Sequence, residues 1–547
     1  MLPLLQQSSR RQRGGGLIKE GDRRTRCLSW LAAGTLRGLS KLTFSKQGFT
    51  SAAISLTAFT AVAKVLSLAQ QVLIGRAFGV GAETDALVVA QIVPLLVGGM
   101  LGAALTTTLI PLQTDAEGWQ PGELTGSVCI PLALAAFASA TAWLGSGRIV
   151  HVLGPGLSDA AFLEAVQLLR TMAVLILLLT ASGALTAFYY ARSHFIVPAA
   201  AASLLYLGGI GGTLLLRAAL GPASLAAGLV VGGATQLVVL LLFAKRVWFA
   251  RPVFAIRRMG RVMASLARIF AGASISTFYL VLDRSFATRS GTGLAASYAF
   301  AGNLITLPGQ LVVANATSAL LPFLVLARGR PKDFRAVLGN SVEWVGFVLL
   351  PIALIMLTWA GPMVRLLFRS AAFGLEAVRL TASIVLAYGI AIFGLATKDM
   401  ATTGLIALGR EEPPVLVGLA GLLLSWVLKL LLVARLGYLA IAYSTDVAVI
   451  ANGTILWLLL LRSISPDTKV RQPISSGRLA IPGSSIIAFW FFWKTVTAGD
   501  RWWGTWLYPP AALGVYVAAC AGFRVPGLLA LVRQARSRLG LCGSSRK

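Results

Sequence analysis

Residues 63–111 read AKVLSLAQQVLIGRAFGVGAETDALVVAQIVPLLVGGMLGAALTTTLIP, and this stretch decides the fold class. Two long apolar runs flank a short turn, Arg76 to Asp85, that contains two glycines. A helix that crosses the hydrocarbon core of a bilayer needs roughly 20 apolar residues, and each run is long enough. The stretch therefore predicts two membrane-spanning helices joined by a tight connection.

The same pattern extends along the whole chain. Of its 547 residues, 57% are hydrophobic and only 12% are charged, whereas a soluble protein carries roughly 25% charged residues. We therefore predict an all-α integral membrane protein with about fourteen transmembrane helices. The predicted spans cover approximately residues 51–74, 86–112, 127–146, 165–190, 196–216, 223–244, 264–282, 294–326, 337–360, 380–408, 414–434, 438–461, 480–497 and 505–523.

An internal repeat relates two groups of six spans. Arg76-Ala77-Phe78 leads to Leu109-Ile110-Pro111, and in the second copy Arg284-Ser285-Phe286 leads to Leu320-Leu321-Pro322. Because six is even, both copies insert the same way up, as in transporters with parallel repeats. The predicted organisation is a basic arm (1–50), a first six-helix half (51–247), a basic linker (248–263), a second half (264–462), two extra C-terminal helices (463–523) and a basic tail (524–547).

The net charge of +29 lies between the spans and at both termini. Cytoplasmic loops of membrane proteins are rich in Lys and Arg, and the segment from Lys245 to Arg261 has six basic residues and no acidic ones. We therefore predict that both termini are cytoplasmic, that anionic membrane lipids are partners, and that nucleic acid is not. The loop 113–126 is an exception, because it carries acids without Lys or Arg.

The chain offers little catalytic chemistry. Its four cysteines and two histidines show no CxxC or HExxH spacing, so we predict neither a metal site nor a cofactor. No nucleophile and base are spaced for catalysis either, so we predict a transporter rather than an enzyme.

Polar side chains inside apolar spans are costly, and by default they mark a transport path or a binding cavity. The candidate substrate-binding residues are Lys64, Gln70, Asp85, Arg268, Asn303 and Lys398. Candidate structural or gating residues are the neighbours Asp283 and Arg284, together with Pro94 and Pro308, which are predicted to break or kink their spans.

Each candidate has a structural alternative. Lys64 and Lys429 could extend to the membrane interface, and Asp283 could pair with Arg284 there. Lys398 could pair with Asp399, and Asn303 could join two helices by a hydrogen bond.

The quoted stretch resembles the MviN/MurJ-like flippases of the MOP superfamily. That family has a basic residue in span 1, then an R-x-F-G-x-G-x-x-x-D-A turn. Here Lys64 stands at the basic position, and the turn is formed by Arg76, Phe78, Gly79, Gly81, Asp85 and Ala86. The segment 361–373, GPMVRLLFRSAAF, is similar to a second family motif, and the resemblance covers about residues 50–525. It makes Arg76, Gly79 and Gly81 further structural or gating candidates.

The resemblance implies a flippase of the bacterial inner membrane. Such proteins move polyprenyl-pyrophosphate-linked saccharides from the cytoplasmic to the outer leaflet by alternating access, using a cationic central cavity. A monomer is implied, with H⁺ or Na⁺ as a possible coupling ion.

Four residues, at three places in the chain, depart from the pattern of the lipid II flippases of this family. Gln70 replaces a second basic residue of span 1, Gly98-Gly99 align with an Arg pair of span 2, and Asn303 aligns with an Arg of span 8. We therefore hypothesise an exopolysaccharide repeat unit as the cargo, with Lys64, Arg268 and Lys398 as cavity cations. Lipid II stays the alternative.

Two other classes of function remain. A cation-coupled multidrug exporter of the same superfamily would favour acids in its cavity, whereas Asp85 is the one carboxylate candidate in spans 1 and 2. A membrane-embedded polymerase or glycosyltransferase would need paired acids or a histidine on sizeable loops, and the sequence has no such loop.

Overall fold

A computed structural model of the chain describes residues 49–114, 121–192, 194–244, 253, 256–389, 391–464 and 502–522. Almost all of these residues are α-helical, and none of them lies in a strand. The prediction of an all-α membrane fold is confirmed. Most of the basic arm, much of the linker, predicted span 13 and the basic tail lie outside the described residues.

The helices of the first half follow the predicted spans closely. They are α1 (Phe49–Phe78), α2 (Ala82–Thr114), α3 (Pro121–Leu144), α4 (Ser146–Leu153), α5 (Asp159–Met172), α6 (Leu175–Ala191), α7 (Ile196–Leu220) and α8 (Ala223–Phe243). The short helix α4 follows the third span, and α5 with α6 forms the fourth.

The second half repeats this order of elements. Its helices are α9 (Ile256–Ser290), α10 (Leu294–Pro308), α11 (Ala314–Leu326), α12 (Pro331–Thr358), α13 (Ala360–Phe368), α14 (Leu375–Tyr388), α15 (Ala391–Ala407), α16 (Glu412–Leu436) and α17 (Leu439–Ile464). The last described helix is α18 (Trp502–Gly522). The short helix α13 stands where α4 stands in the first half.

Within the described ranges, ten helices are long and apolar enough to span a membrane, or twelve if two bent pairs each count as one span. One pair is α9, bent by 47° between Gly272 and Thr277, and the other is α14 with α15, bent by 41°. These twelve correspond to predicted spans 1–12. The apolar part of α18, Leu507–Cys520, is shorter, so the total of fourteen stays a prediction, as do the domain boundaries.

Small residues allow a very close helix contact in the first half. A Cβ on Gly208 of α7 would lie 2.4 Å from the Cα of Gly232 on α8, and one on Gly212 would lie 2.6 Å from the Cα of Gly228. In lipid, helices associate through such close backbone packing rather than through hydrophobic burial. The glycines of this segment therefore have a direct packing role.

The two prolines predicted to break or kink their spans, Pro94 and Pro308, behave differently. Helix α2 continues through Pro94 without a break. Pro308 ends α10 and is followed by a π-helical turn, Gly309–Val313, before α11 begins. Proline removes a backbone donor and crowds the preceding turn, and a π-turn is a rare feature that often marks a functional segment.

Candidate functional site

The carboxylate of Asp85 joins the two halves. It is 2% exposed, and its oxygens accept hydrogen bonds from the backbone N–H groups of Gly293 (2.5 Å) and Ala296 (2.7 Å). These groups begin α10 and have no acceptor within that helix, so the carboxylate caps the helix and stabilises its positive end. Asp85 is a predicted substrate-binding residue, but in this conformation both of its oxygens are engaged by α10.

The spacing of this contact matches the internal repeat. The two donors lie 208 and 211 residues after Asp85, which are also the offsets between the two copies of the repeated motif. Helix α10 is therefore the counterpart of α2, the helix in whose first turn Asp85 lies. The first copy caps the second copy at an equivalent position.

Arg76 and Gly79 make a second junction at the same end. The Arg76 guanidinium donates to the carbonyls of Leu367 (2.5 Å) and Leu366 (2.8 Å) in the last turn of α13, where unpaired carbonyls attract a cation. Gly79 has φ +72°, and a Cβ there would lie 2.1 Å from the carbonyl oxygen of Ala372. Both residues therefore have a structural role.

Aromatic packing completes this end of the molecule. The rings of Phe300, Phe368 and Phe373 lie 5.1 to 6.0 Å apart, and a Cβ on Gly75 would lie 2.5 Å from Phe368. Around Gly81, by contrast, nothing lies within 4 Å of where a Cβ would stand. We call the contacting segments 75–85, 293–300 and 366–373 the docked end.

Lys64 lies on α1, three turns away from the docked end. Counting 1.5 Å per residue, it lies about 16 Å along the helix from Gly75. Its side chain is half-buried, and among the described residues it forms no hydrogen bond or ion pair. Since α10 leaves the docked end in the same direction, the π-turn after Pro308 lies at about the same depth. An unpaired ammonium within a membrane span is suited to an anionic ligand.

Gln70 and Asn303 occupy different surroundings. The Gln70 side chain is 3% exposed and packs inside the first half, because a Cβ on Gly209 of α7 would lie 2.9 Å from its Nε2. Asn303 is half-buried on α10, one turn beyond Phe300. Its side-chain amide makes no hydrogen bond with a described residue.

Arg268 and Lys398 lie elsewhere. Arg268 is exposed on α9 before the bend, and its Nε donates to the carbonyl of Ala264 in its own helix (3.3 Å). The Lys398 ammonium lies 3.5 Å from the Asp399 carboxylate on α15. Across the described part of the chain, no contact joins these two side chains to Lys64, so the predicted trio of cations is not brought together here. In the same residues, no group of three His, Cys, Asp or Glu side chains could hold a metal ion.

The comparisons with known proteins agree with this architecture. The profile of the family described as "Lipid II flippase MurJ" matches residues 74–503, which is most of the chain. This chain belongs to the MurJ family. It is 26% identical to a lipid II flippase MurJ of Burkholderia cenocepacia over 74% of this chain and 83% of that protein. It is also 26% identical to a probable lipid II flippase MurJ of Synechocystis over 81% and 87%.

Solved structures show the same fold. A lipid II flippase MurJ in an inward closed conformation superposes with a TM-score of 0.74 at 17% identity, covering 86% of this chain and 98% of that one. An inward-facing MATE multidrug transporter of the MOP superfamily superposes with a TM-score of 0.63 at 12% identity, covering 77% and 99%. These likenesses establish a multi-pass MOP-type membrane fold.

Close packing accounts for two of the positions at which this MurJ-family chain has an uncharged residue in place of a cation. A Cβ on Gly98 would lie 2.9 Å from the Cα of Ile176 on α6, so an arginine does not fit there without moving the helices. Gly99 is exposed, with nothing within 4 Å of a Cβ. Gln70 is enclosed against Gly209. At two of the departing positions, an uncharged residue is therefore part of the helix packing.

Sequence reasoning missed a buried polar network in the second half. Lys429 is fully buried, and its ammonium lies 3.0 Å from the Asp283 carboxylate. It also donates to Ser425 and Thr445. The alternative that Lys429 extends to the interface is wrong, and Asp283 pairs with Lys429 rather than with Arg284. The available signal was one lysine in span 11 and two aspartates, one at the end of span 7 and one within span 12.

Proposed function

We propose that this MurJ-family chain moves lipid II from the cytoplasmic to the outer leaflet of the bacterial inner membrane by alternating access. The family match and the relatives support this cargo. The structural observation that carries the proposal is Lys64, an ammonium within a membrane span that has no anionic partner among the described residues. A pyrophosphate headgroup would supply the missing negative charge.

The direction of transport follows from the predicted orientation. With a cytoplasmic N-terminus, α1 runs outward and the docked end lies on the outer side. The conformation described here would then receive cargo from the cytoplasm, and the contacts of Asp85 and Arg76 would have to break for release. We further propose that the protein acts as a monomer, that its basic loops face anionic lipids, and that H⁺ or Na⁺ drives the cycle.

Complementation tests the proposal directly. The gene is expressed in a bacterium depleted of its own lipid II flippase, and labelled lipid II reaching the outer leaflet is measured. Growth rescue with restored labelling supports lipid II as cargo. Failure of rescue by a protein that is inserted and stable would reject it.

Substitution of Lys64 then tests the site. Lys64→Ala should reduce flipping at least tenfold, because burying the pyrophosphate without a counter-charge is costly, while Lys64→Arg should keep most of the activity. Lys332→Ala is the matched control, since Lys332 is exposed in the first turn of α12. Equal activity of Lys64→Ala and wild type at equal protein levels would contradict the assigned role.

A second cargo has one specific observation in its favour. The uncharged residues at 70, 98, 99 and 303 leave a less cationic path than the resemblance implies for lipid II flippases. If rescue fails, we expect the cargo to be a polyprenyl-linked exopolysaccharide repeat unit. Deleting the gene in its own host should then abolish a surface polymer while cell-wall synthesis continues.

A further inference from the structure

The buried network of the second half contains a carboxylate that no protein donor satisfies. Asp446 on α17 is 4% exposed, and neither of its oxygens has a hydrogen bond of normal geometry among the described residues. The backbone N–H of Ala391 is directed toward this carboxylate, but the two groups do not have the distance and angle of a normal hydrogen bond. An ionised carboxylate in this position would be costly, since burial of a charge needs a partner.

The neighbouring carboxylate is fully engaged. Asp283 accepts hydrogen bonds from Tyr388 and from Thr445 (2.8 Å), in addition to its ion pair with Lys429. The Lys429 ammonium donates to Ser425 and Thr445 as well. All three of its protons therefore have acceptors, and it has no donor left for Asp446.

The charges around Asp446 come from several helices. Lys429 on α16 attracts it, whereas Asp283 on α9 repels it. Tyr388 on α14 and Tyr298 on α10 face both carboxylates as neutral phenols, and Arg284 faces Asp283 and Tyr388 from the next position on α9. The charged side chains of α15, Lys398 and Asp399, lie 3.5 Å from each other.

The carboxylates of Asp283 and Asp446 both lie next to the break between α14 and α15, which together form the tenth span. Tyr388, the last residue of α14, donates to Asp283, and Ala391, the first residue of α15, faces Asp446. The two helices are bent by 41° between these residues. A negative charge on Asp446 would attract the positive N-terminal end of α15, and a neutral carboxyl would not.

We propose that Asp446 binds and releases a proton, and that its charge sets how firmly α15 is held at this break. The proton comes from water and adds to one carboxylate oxygen, so that the acid can donate a hydrogen bond that the carboxylate cannot. This inference rests on the proposed flippase function in one respect, because it identifies H⁺ as the coupling ion and Asp446 as its binding residue.

Infrared spectroscopy tests proton binding without any cargo. The full chain is purified into lipid nanodiscs, and spectra of the wild type and of Asp446→Asn are compared at low and at high pH. Because the other acidic side chains also protonate at low pH, the quantity compared is the wild-type spectrum minus the Asp446→Asn spectrum, in which we expect a carboxylic acid C=O band at low pH that is lost at high pH. Asp333→Asn, which alters an exposed aspartate in the first turn of α12, should keep the band.

One further variant and two further readouts keep the proposal testable if Asp446→Asn does not fold or if the infrared result needs an independent check. If Asp446→Asn does not fold, Asp446→Glu keeps a titratable group and should move the band in frequency. At one fixed pH, Asp446→Asn should raise the hydrogen exchange of the backbone amides in the first turn of α15, from Ala391 onward. In a flipping assay it should also flatten the dependence of rate on pH.

Several results would overturn the proposal. They are a wild type without the band at any pH, a band that persists at every pH, a band unchanged by both variants, and spectra that respond to Na⁺ but not to pH. Because the infrared experiment contains no cargo, its outcome is independent of whether lipid II is transported. A failed rescue would reject the proposed cargo and leave this assignment intact.

Discussion

The interaction of Asp85 with α10 allows a quantitative prediction about opening of the docked end. Asp85→Ala removes the acceptor of two hydrogen bonds, at 2.5 and 2.7 Å, and leaves the donors of Gly293 and Ala296 buried. A hydrogen bond to a charged group contributes roughly 1.5–3 kcal/mol, so the loss of two should destabilise the docked state by about 3–6 kcal/mol. Since 1.4 kcal/mol is a factor of ten, the population in which this end is open should rise at least about 100-fold.

Cysteine labelling measures this population. Val80 packs against Gly293 at the docked end, so Val80→Cys, in a background without native cysteines, should react slowly with a membrane-impermeant maleimide. Adding Asp85→Ala should accelerate the reaction strongly, and Asp85→Asn, which keeps a neutral acceptor, should have a smaller effect. Asp159→Ala is the matched control, because it removes an exposed acid from the first turn of α5. Equal labelling rates in Asp85→Ala and this control would refute the reasoning.

Two further predictions concern stability and backbone conformation. Lys429→Met leaves the Asp283 carboxylate buried without its cation, which should cost about 3–5 kcal/mol of folding free energy and lower the thermal unfolding midpoint in detergent. Lys332→Met at the surface should leave the midpoint unchanged. An unchanged midpoint in Lys429→Met would mean that the pair does not form. Gly79→Ala should destabilise the docked end by at least about 1 kcal/mol, since φ is +72° and the added methyl group meets a carbonyl. Gly81→Ala has open space around it and should accelerate the labelling of Val80→Cys less than Gly79→Ala does.

Helix positions were largely predictable from the sequence, because in lipid the length of an apolar run almost fixes the element. The turn from Arg76 to Asp85 was also recognisable, since its residues stand together in sequence. The contacts that each residue makes were not predictable from the sequence. Arg76 reaches carbonyls 290 and 291 residues away, and neither hydropathy nor periodicity indicates which helix end will receive a given side chain.

In the candidate site, too, the sequence indicated some functional residues but not their contacts. Lys64 could be singled out because a lone cation in an apolar span is costly whatever surrounds it. The pairing of Lys429 with Asp283 could not be predicted, because the two residues lie on different helices and their burial depends on how those helices pack. Gln70 illustrates the converse case, since its position in span 1 indicated a ligand contact while the structure places it against Gly209 inside the first half.

The cap that Asp85 forms on α10 breaks the equivalence of the two copies. A chain that arose by duplication of one unit could form the same bond twice, with each copy capping the helix of the other. The positions that correspond to Asp85 in the second copy are the donors themselves, Gly293 and Ala296, and they have no carboxylate to return. At this position one carboxylate therefore caps a helix of the other copy where two could, so fewer polar contacts have to break here when the two copies separate.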